Sequence, residues 1–220
     1  DIKQFRQWGS VTPGHPERDL AHGIENSSGP LGQGHAYAAG AAVAEKFLEA
    51  RLGHTMMQHK IYAYISDGGV QEGVSAEVGR LAGALGLNNL IMFYDANDIQ
   101  LSTECGAVMD EDTAMKYRAW GWNVMNIDGN DPDAIREALA AANREENRPT
   151  LIIGDTVMAK GARQADGSSY EHSIKTHGAP LGGDAYINTV KNLGGDPDDP
   201  FRIFPEVQQL YDDRAAELRK

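Results

Sequence analysis

Cysteine is nearly absent: Cys105 is the only one in 220 residues. No intrachain disulfide can form, and a lone thiol fits a reducing compartment, so a cytoplasmic location is expected. Positive charge is scarce too. Lys and Arg number 20 against 32 Asp and Glu, for a formal net charge of −12. Nucleic acids and anionic membrane surfaces both attract clustered Lys and Arg, so neither is an expected partner. No apolar run approaches the roughly 20 residues that span a bilayer. The opening residues, DIKQFRQWGS, carry neither an initiator Met nor a signal-peptide pattern, and a start inside a longer protein is expected. There are no internal repeats or low-complexity tracts. Glycine, by contrast, is plentiful, with 25 residues, and several of them cluster in short turns.

The pattern along the chain is that of an α/β fold. Ile61–Ile65 is short, apolar and aromatic, ends at Asp67-Gly68, and reads as a buried strand. From Glu72 to Leu85 apolar residues recur at three- and four-residue steps, which predicts a helix. Leu90–Tyr94, Trp122–Ile127 and Leu151–Val157 read as further strands, and Asp110–Trp120 as a helix with acidic residues in its first turn. Pro132–Asn143 reads as a helix with Asp131 as its N-cap. Strands alternating with helices predict a parallel sheet flanked by helices. Ahead of the first strand, Gly29–Leu52 holds a glycine-rich turn and an alanine-rich helix whose small residues suit close packing. Residues 159–181 read as a long functional loop, and two short helices follow, near Asp184–Leu193 and Pro205–Leu218. We expect one α/β domain over residues 1–205, with 206–220 as a C-terminal helix leading to a linker.

In parallel α/β sheets ligands bind at the carboxyl ends of the strands. Three features would converge there: Ser66-Asp67-Gly68-Gly69, Asp95-Ala96-Asn97-Asp98-Ile99, and the Gly29-Pro30-Leu31-Gly32-Gln33-Gly34 turn. Asp67 and Asn97 are one strand–helix–strand unit apart, and adjacent strands lie about 4.8 Å from each other. Their side chains can therefore offer a carboxylate and an amide oxygen to one hard cation, Mg²⁺ shared with ligand phosphates or Ca²⁺. The same residues also suit ordinary strand-end turns, and tight helix packing explains the glycine turn equally well.

These residues resemble the thiamine-diphosphate motif: Asp67-Gly68 after a strand, then Glu72-Gly73, then Asp95-Ala96-Asn97 after the next strand. With Gly9–Glu17 (GSVTPGHPE), the GPLGQG turn at 29–34, YRAWGW at 117–122, His177–Gly182 (HGAPLG) and Pro200–Ile203, the chain is similar to transketolases along its length. The resemblance implies a diphosphate-binding α/β domain of the PP type, with thiamine diphosphate as cofactor. The Asp67 and Asn97 side chains and the Ile99 carbonyl would hold Mg²⁺ or Ca²⁺. Gly29, Pro30, Leu31, Ser66 and Gly68 would face diphosphate and thiazolium, with Leu31 and Leu101 giving apolar contact. His177 would touch diphosphate and substrate, His15 a substrate hydroxyl, and Glu72 a second subunit.

It further implies that the parent, a homodimer of the pentose phosphate pathway, moves a two-carbon ketol unit from a ketose phosphate to an aldose phosphate. The glutamate that activates the cofactor would come from a pyrimidine-binding domain outside these residues, so the chain alone is expected to be inactive. The alternatives are a formaldehyde-using or split transketolase, or a non-catalytic anion- or metal-binding module. Ser66 stands where the family usually has glycine, and Ala96 where Asp or Asn is commoner. Residues 162–175 also depart from the family pattern. His22, His35, His54, His59 and His172 read as surface or packing residues, His172 being close in sequence to His177. The rings of Trp8, Trp120 and Trp122 read as core or interface, and Cys105 has no assigned role.

Overall fold

The computed structural model describes residues 1–56 and 58–219. Lys220, the last residue of the expected C-terminal segment, lies outside the described residues. Strands β1 (Ile61–Ser66), β2 (Leu90–Ala96), β3 (Asn123–Asp128) and β4 (Thr150–Asp155) form one four-stranded sheet in the order β1-β2-β4-β3. Every neighbouring pair is parallel. The helices are α1 (Gln33–Leu52), α2 (Asp67–Gln71), α3 (Gly73–Ala84), α4 (Thr113–Ala119), α5 (Pro132–Arg144), α6 (Gly183–Asn192) and α7 (Pro205–Leu218).

Side chains alternate across the sheet, as the period of two in a strand requires. Ile65, Leu90, Met92, Tyr94, Leu151 and Ile153 face one side and pack with Ala38, Ala39 and Ala42 of α1, Val78 and Ala82 of α3, and Tyr117 and Trp122. Ile91 and Ile152 face the other side, against Ala138 and Ala142 of α5. That second side is covered only in part: Tyr62 and Tyr64 of β1 are exposed.

Local chemistry sets the helix ends. Asp131 caps α5 by accepting from the Asp133 N–H at 2.9 Å, and Pro132 fills the first turn, where a missing N–H costs nothing. The acidic residues expected inside α4 stand before it instead, and Asp112 accepts from the Met115 N–H at 2.7 Å as N-cap. The helix expected over 72–85 is α3, and the short α2 that precedes it, directly after β1, was not foreseen. Glu72 is extended, with φ −67° and ψ 136°, and separates α2 from α3. α1 starts after Gly32, whose φ is +82° and whose notional Cβ would come 2.5 Å from Cγ1 of Val74, so the close approach of α1 to α3 requires glycine there. α7 runs over the expected residues and buries none of its side chains.

Candidate functional site at the carboxyl edge of the sheet

The strand register builds the site. Ser66 pairs with Asp95, and Asp95 with Gly154, so β1, β2 and β4 end level with one another. The chain leaves β1 straight into α2, and Asp67 points back toward the end of β2. There the Asn97 N–H donates to Oδ2 of Asp67 at 3.1 Å, and the Tyr94 hydroxyl donates to Oδ1 at 2.7 Å. Asp67 is only 2% exposed, yet no Lys, Arg or His among the described residues forms an ion pair with it. Burying an unpaired charge is costly, and this carboxylate has neutral donors only. Burial, then the bond to Asp67, pushes the Tyr94 phenol above its ordinary pKa.

The loop after β2 folds tightly around this carboxylate. The Asn97 side-chain oxygen accepts from the Ile99 N–H at 3.0 Å, Asp98 adopts a left-handed φ of +63°, and the Cys105 N–H donates to the Asp98 carbonyl at 2.9 Å. Cys105 is buried, and burial followed by the nearby Asp67 carboxylate pushes its thiol up to about 12. Among the described residues no cluster of three or more His, Cys, Asp or Glu side chains is placed to hold a metal. A cation here would take one carboxylate, one amide oxygen and main-chain carbonyl oxygen. Such a hard, oxygen-only and sparse donor set fits Mg²⁺ or Ca²⁺ that completes its shell on a bound phosphate.

The glycine turn lies against the same edge. A Cβ on Gly68 would come 3.0 Å from Cδ1 of Leu31. Gly29, with φ +149°, lies against His15, whose ring carbons would be 3.0 Å from a Cβ there. Motifs far apart in sequence, at 15, 29–31 and 67–68, are thus neighbours. Ser66 has ordinary extended backbone, φ −105° and ψ 170°, so a side chain in place of glycine is tolerated, and its Oγ accepts from the Gly69 N–H at 3.2 Å.

The expected site residues are not all joined. Leu31 and Leu101 are exposed apolar side chains, 52% and 76%. Glu72 is exposed at the start of α3, its N–H donating to the Gly69 carbonyl at 3.3 Å. His177 follows a short 3-10 turn at Ile174–Thr176, and its buried Nδ1 has no hydrogen-bond partner among the described residues. No hydrogen bond among the described residues ties His177, Leu101 or the Glu72 side chain to Asp67.

Two contributors were not foreseen. His35, read as a surface or packing residue, is buried under the glycine turn. Its Nδ1 lies 2.7 Å from Ser75 Oγ, and Ser75 Oγ donates to the Gly69 carbonyl at 2.6 Å. Because the Ser75 proton goes to Gly69, His35 Nδ1 is the donor to Ser75, and the imidazole is neutral; burial holds its pKa down at about 4. This His35–Ser75–Gly69 chain braces the turn that carries Asp67 and Gly68. The second is Tyr94, read only as an apolar strand residue. Of the tryptophans, Trp122 is fully buried and Trp8 fully exposed.

A cleft of about 130 Å³ lies between Gly29–Gly32 and Ser66–Gly69, with His35 in its wall. A larger cavity, about 710 Å³, occupies the bare half of the second sheet face beside Tyr62, Tyr64 and Phe93. It shares only Asn97 with the expected site, whereas the smaller cleft is walled by Gly29, Pro30, Leu31 and Ser66 of that site.

The fold and site are those of a parallel α/β domain that gathers a buried carboxylate, an amide oxygen and glycine turns at the carboxyl edge of its sheet, where such folds bind their ligands. The family model "Transketolase, thiamine diphosphate binding domain" matches residues 1–220, and the chain belongs to that family. It is 41% identical to Transketolase 2 of Xanthobacter flavus, over 98% of this chain and 31% of that protein. It is 40% identical to Transketolase 2 of Escherichia coli K12, over 97% of this chain and 32% of that one. Among solved structures, transketolase from Leishmania mexicana superimposes with a TM-score of 0.89 at 36% identity, covering 99% of this chain and 33% of that one. Transketolase from Campylobacter jejuni gives 0.87 at 39% identity, covering 96% and 32%. The chain thus spans about one third of the length of these relatives.

Proposed function

We propose that this chain forms the diphosphate- and cation-binding part of a transketolase, which transfers a ketol unit from a ketose phosphate to an aldose phosphate in the pentose phosphate pathway of the cytoplasm. The observation that carries the reading is the Asp67–Asn97 pair: a buried carboxylate with two neutral donors and, among the described residues, no cationic side chain, beside an amide oxygen. On this reading Asp67, Asn97 and the Ile99 carbonyl hold Mg²⁺ (or Ca²⁺). The main chain at Gly29, Pro30 and Gly68, with the Ser66 hydroxyl, lines the diphosphate, and Leu31 and Leu101 cover the thiazolium. Thiamine diphosphate, when bound, supplies the electron sink for breaking and forming the carbon–carbon bond.

The protein's own residues bind and orient. His177 offers Nδ1, which has no hydrogen-bond partner among the described residues, to the diphosphate or the substrate. His15, held against Gly29, offers its ring to a substrate hydroxyl. Leu31 and Leu101 exclude water from the reacting carbon. A chain of net charge −12 holds an anionic cofactor through a metal, main-chain N–H groups and histidine rather than through Lys and Arg. Glu72, exposed at the start of α3, meets the second subunit of a homodimer.

A coupled assay with a ketose phosphate and an aldose phosphate tests the proposal. The protein encoded by the complete reading frame is expected to turn over only with thiamine diphosphate and a divalent cation, and the 220-residue chain alone is expected to be inactive. Cofactor-independent transfer, or turnover by the chain alone, would contradict it.

A further inference from the structure

We propose that Tyr94 is a positioning residue for the cation site, its hydroxyl setting the orientation in which the Asp67 carboxylate meets the metal. This rests on the cofactor reading above and adds to it a residue outside the expected ligand set.

A carboxylate offers about four lone-pair directions over its two oxygens. In Asp67 one on Oδ1 is taken by the Tyr94 hydroxyl at 2.7 Å, and one on Oδ2 by the Asn97 N–H at 3.1 Å. Each oxygen keeps a free direction. The two donors approach from different points, one from within β2 and one from just beyond its end, so together they fix the plane of the carboxylate. Without the Tyr94 hydroxyl, Oδ1 loses its hydrogen-bond donor, and the carboxylate is held by the Asn97 N–H on Oδ2 with the Cys105 thiol nearby.

The tyrosine is suited to act as a fixed donor. Tyr94 pairs with Ile65 across β1 and β2 and is 7% exposed. Its ring is part of the main core with Ile65, Met92 and Ile153, so the hydroxyl cannot swing away. Asp67 is the only hydrogen-bond partner of that hydroxyl among the described residues. Groups that orient a metal ligand without touching the metal commonly change metal affinity about 10–100-fold when removed.

The test compares Tyr94→Phe with Asp67→Asn in the protein encoded by the complete reading frame. Free Mn²⁺ is read by electron paramagnetic resonance in the presence of thiamine diphosphate, and metal-free unfolding by circular dichroism. Tyr94→Phe is expected to weaken Mn²⁺ binding about 10–100-fold while the metal-free unfolding midpoint stays close to wild type. p-Aminophenylalanine at position 94, which restores a donor, is expected to recover the affinity. If Tyr94→Phe does not fold, p-aminophenylalanine against p-methylphenylalanine, of similar volume but with no donor, makes the same comparison. Wild-type Mn²⁺ affinity in the donor-free variant, with affinity lost in Asp67→Asn, overturns the role of Tyr94 and leaves the cofactor reading standing. Undiminished Mn²⁺ affinity in Asp67→Asn overturns the cofactor reading itself.

Discussion

The main-chain N–H of Asn97 donates to Oδ2 of Asp67 at 3.1 Å, joining the ends of two neighbouring strands through a carboxylate that is almost wholly buried. In Asp67→Asn the amide oxygen can still accept from the Tyr94 hydroxyl, but the NH2 then faces the Asn97 N–H, so the ligand-free midpoint is expected to fall, and the negative charge that would hold a cation is gone. Thermal unfolding checks this. A cofactor–metal pair at 100 times its Kd stabilises the native state by about 2.7 kcal/mol, so the wild-type midpoint rises when thiamine diphosphate and Mg²⁺ are added together. The Asp67→Asn midpoint is expected not to move, and an equal rise in both proteins would count against the cation site.

His35 gives the fold a specific acid sensitivity. Its folded pKa, about 4, lies below the ordinary histidine value of 6.5, and burial is the cause. The unfolded chain therefore binds the proton more readily than the folded one. The stabilisation is complete above pH 6.5 and declines as the pH falls toward 4. At pH 5 the loss is about 2 kcal/mol. Urea unfolding at pH 7 and pH 5 should show a smaller difference in His35→Gln than in wild type; identical differences would show that His35 is not buried as a neutral ring.

Gly29 carries both a backbone requirement and a packing one. Its φ of +149° suits glycine, and a Cβ would press on the His15 ring at 3.0 Å. Gly29→Ala is expected to cost about 1–2 kcal/mol in urea unfolding and to shift the His15 ring resonances in the proton–nitrogen NMR spectrum. Unchanged stability together with unchanged resonances would contradict the contact.

Cys105 should be slow to react. The thiolate is the reactive species, and burial and the Asp67 carboxylate hold the thiol up at about 12. Ellman's reagent at pH 8 is expected to label the native protein far more slowly than the urea-unfolded chain. Equal rates would mean that the loop around Asp98 is open in solution.

The alternation of strands and helices was legible because buried strands and amphipathic helices carry different periods. The order of the strands was not, since periodicity identifies a strand but not its neighbour, and β4 lies between β2 and β3. The short α2 escaped the pattern because five residues are too few to show a helical period; its last turn closes on the Gly69 carbonyl, which accepts from both Glu72 N–H and Ser75 Oγ. Asp67, Asn97 and the glycine turns stood out as strand-end residues of the right types. Tyr94 and His35 did not: a tyrosine in a strand and a histidine in an alanine-rich helix look like packing. Their partners, Asp67 and Ser75, are 27 and 40 residues away in the chain.

The central claim is that this edge of the sheet holds a diphosphate through a divalent cation. Calorimetric titration of the protein encoded by the complete reading frame with thiamine diphosphate, with and without Mg²⁺, tests it most directly. The account predicts binding that requires the cation and is lost in Asp67→Ala. Tight binding without any divalent cation, unchanged in Asp67→Ala, would contradict it.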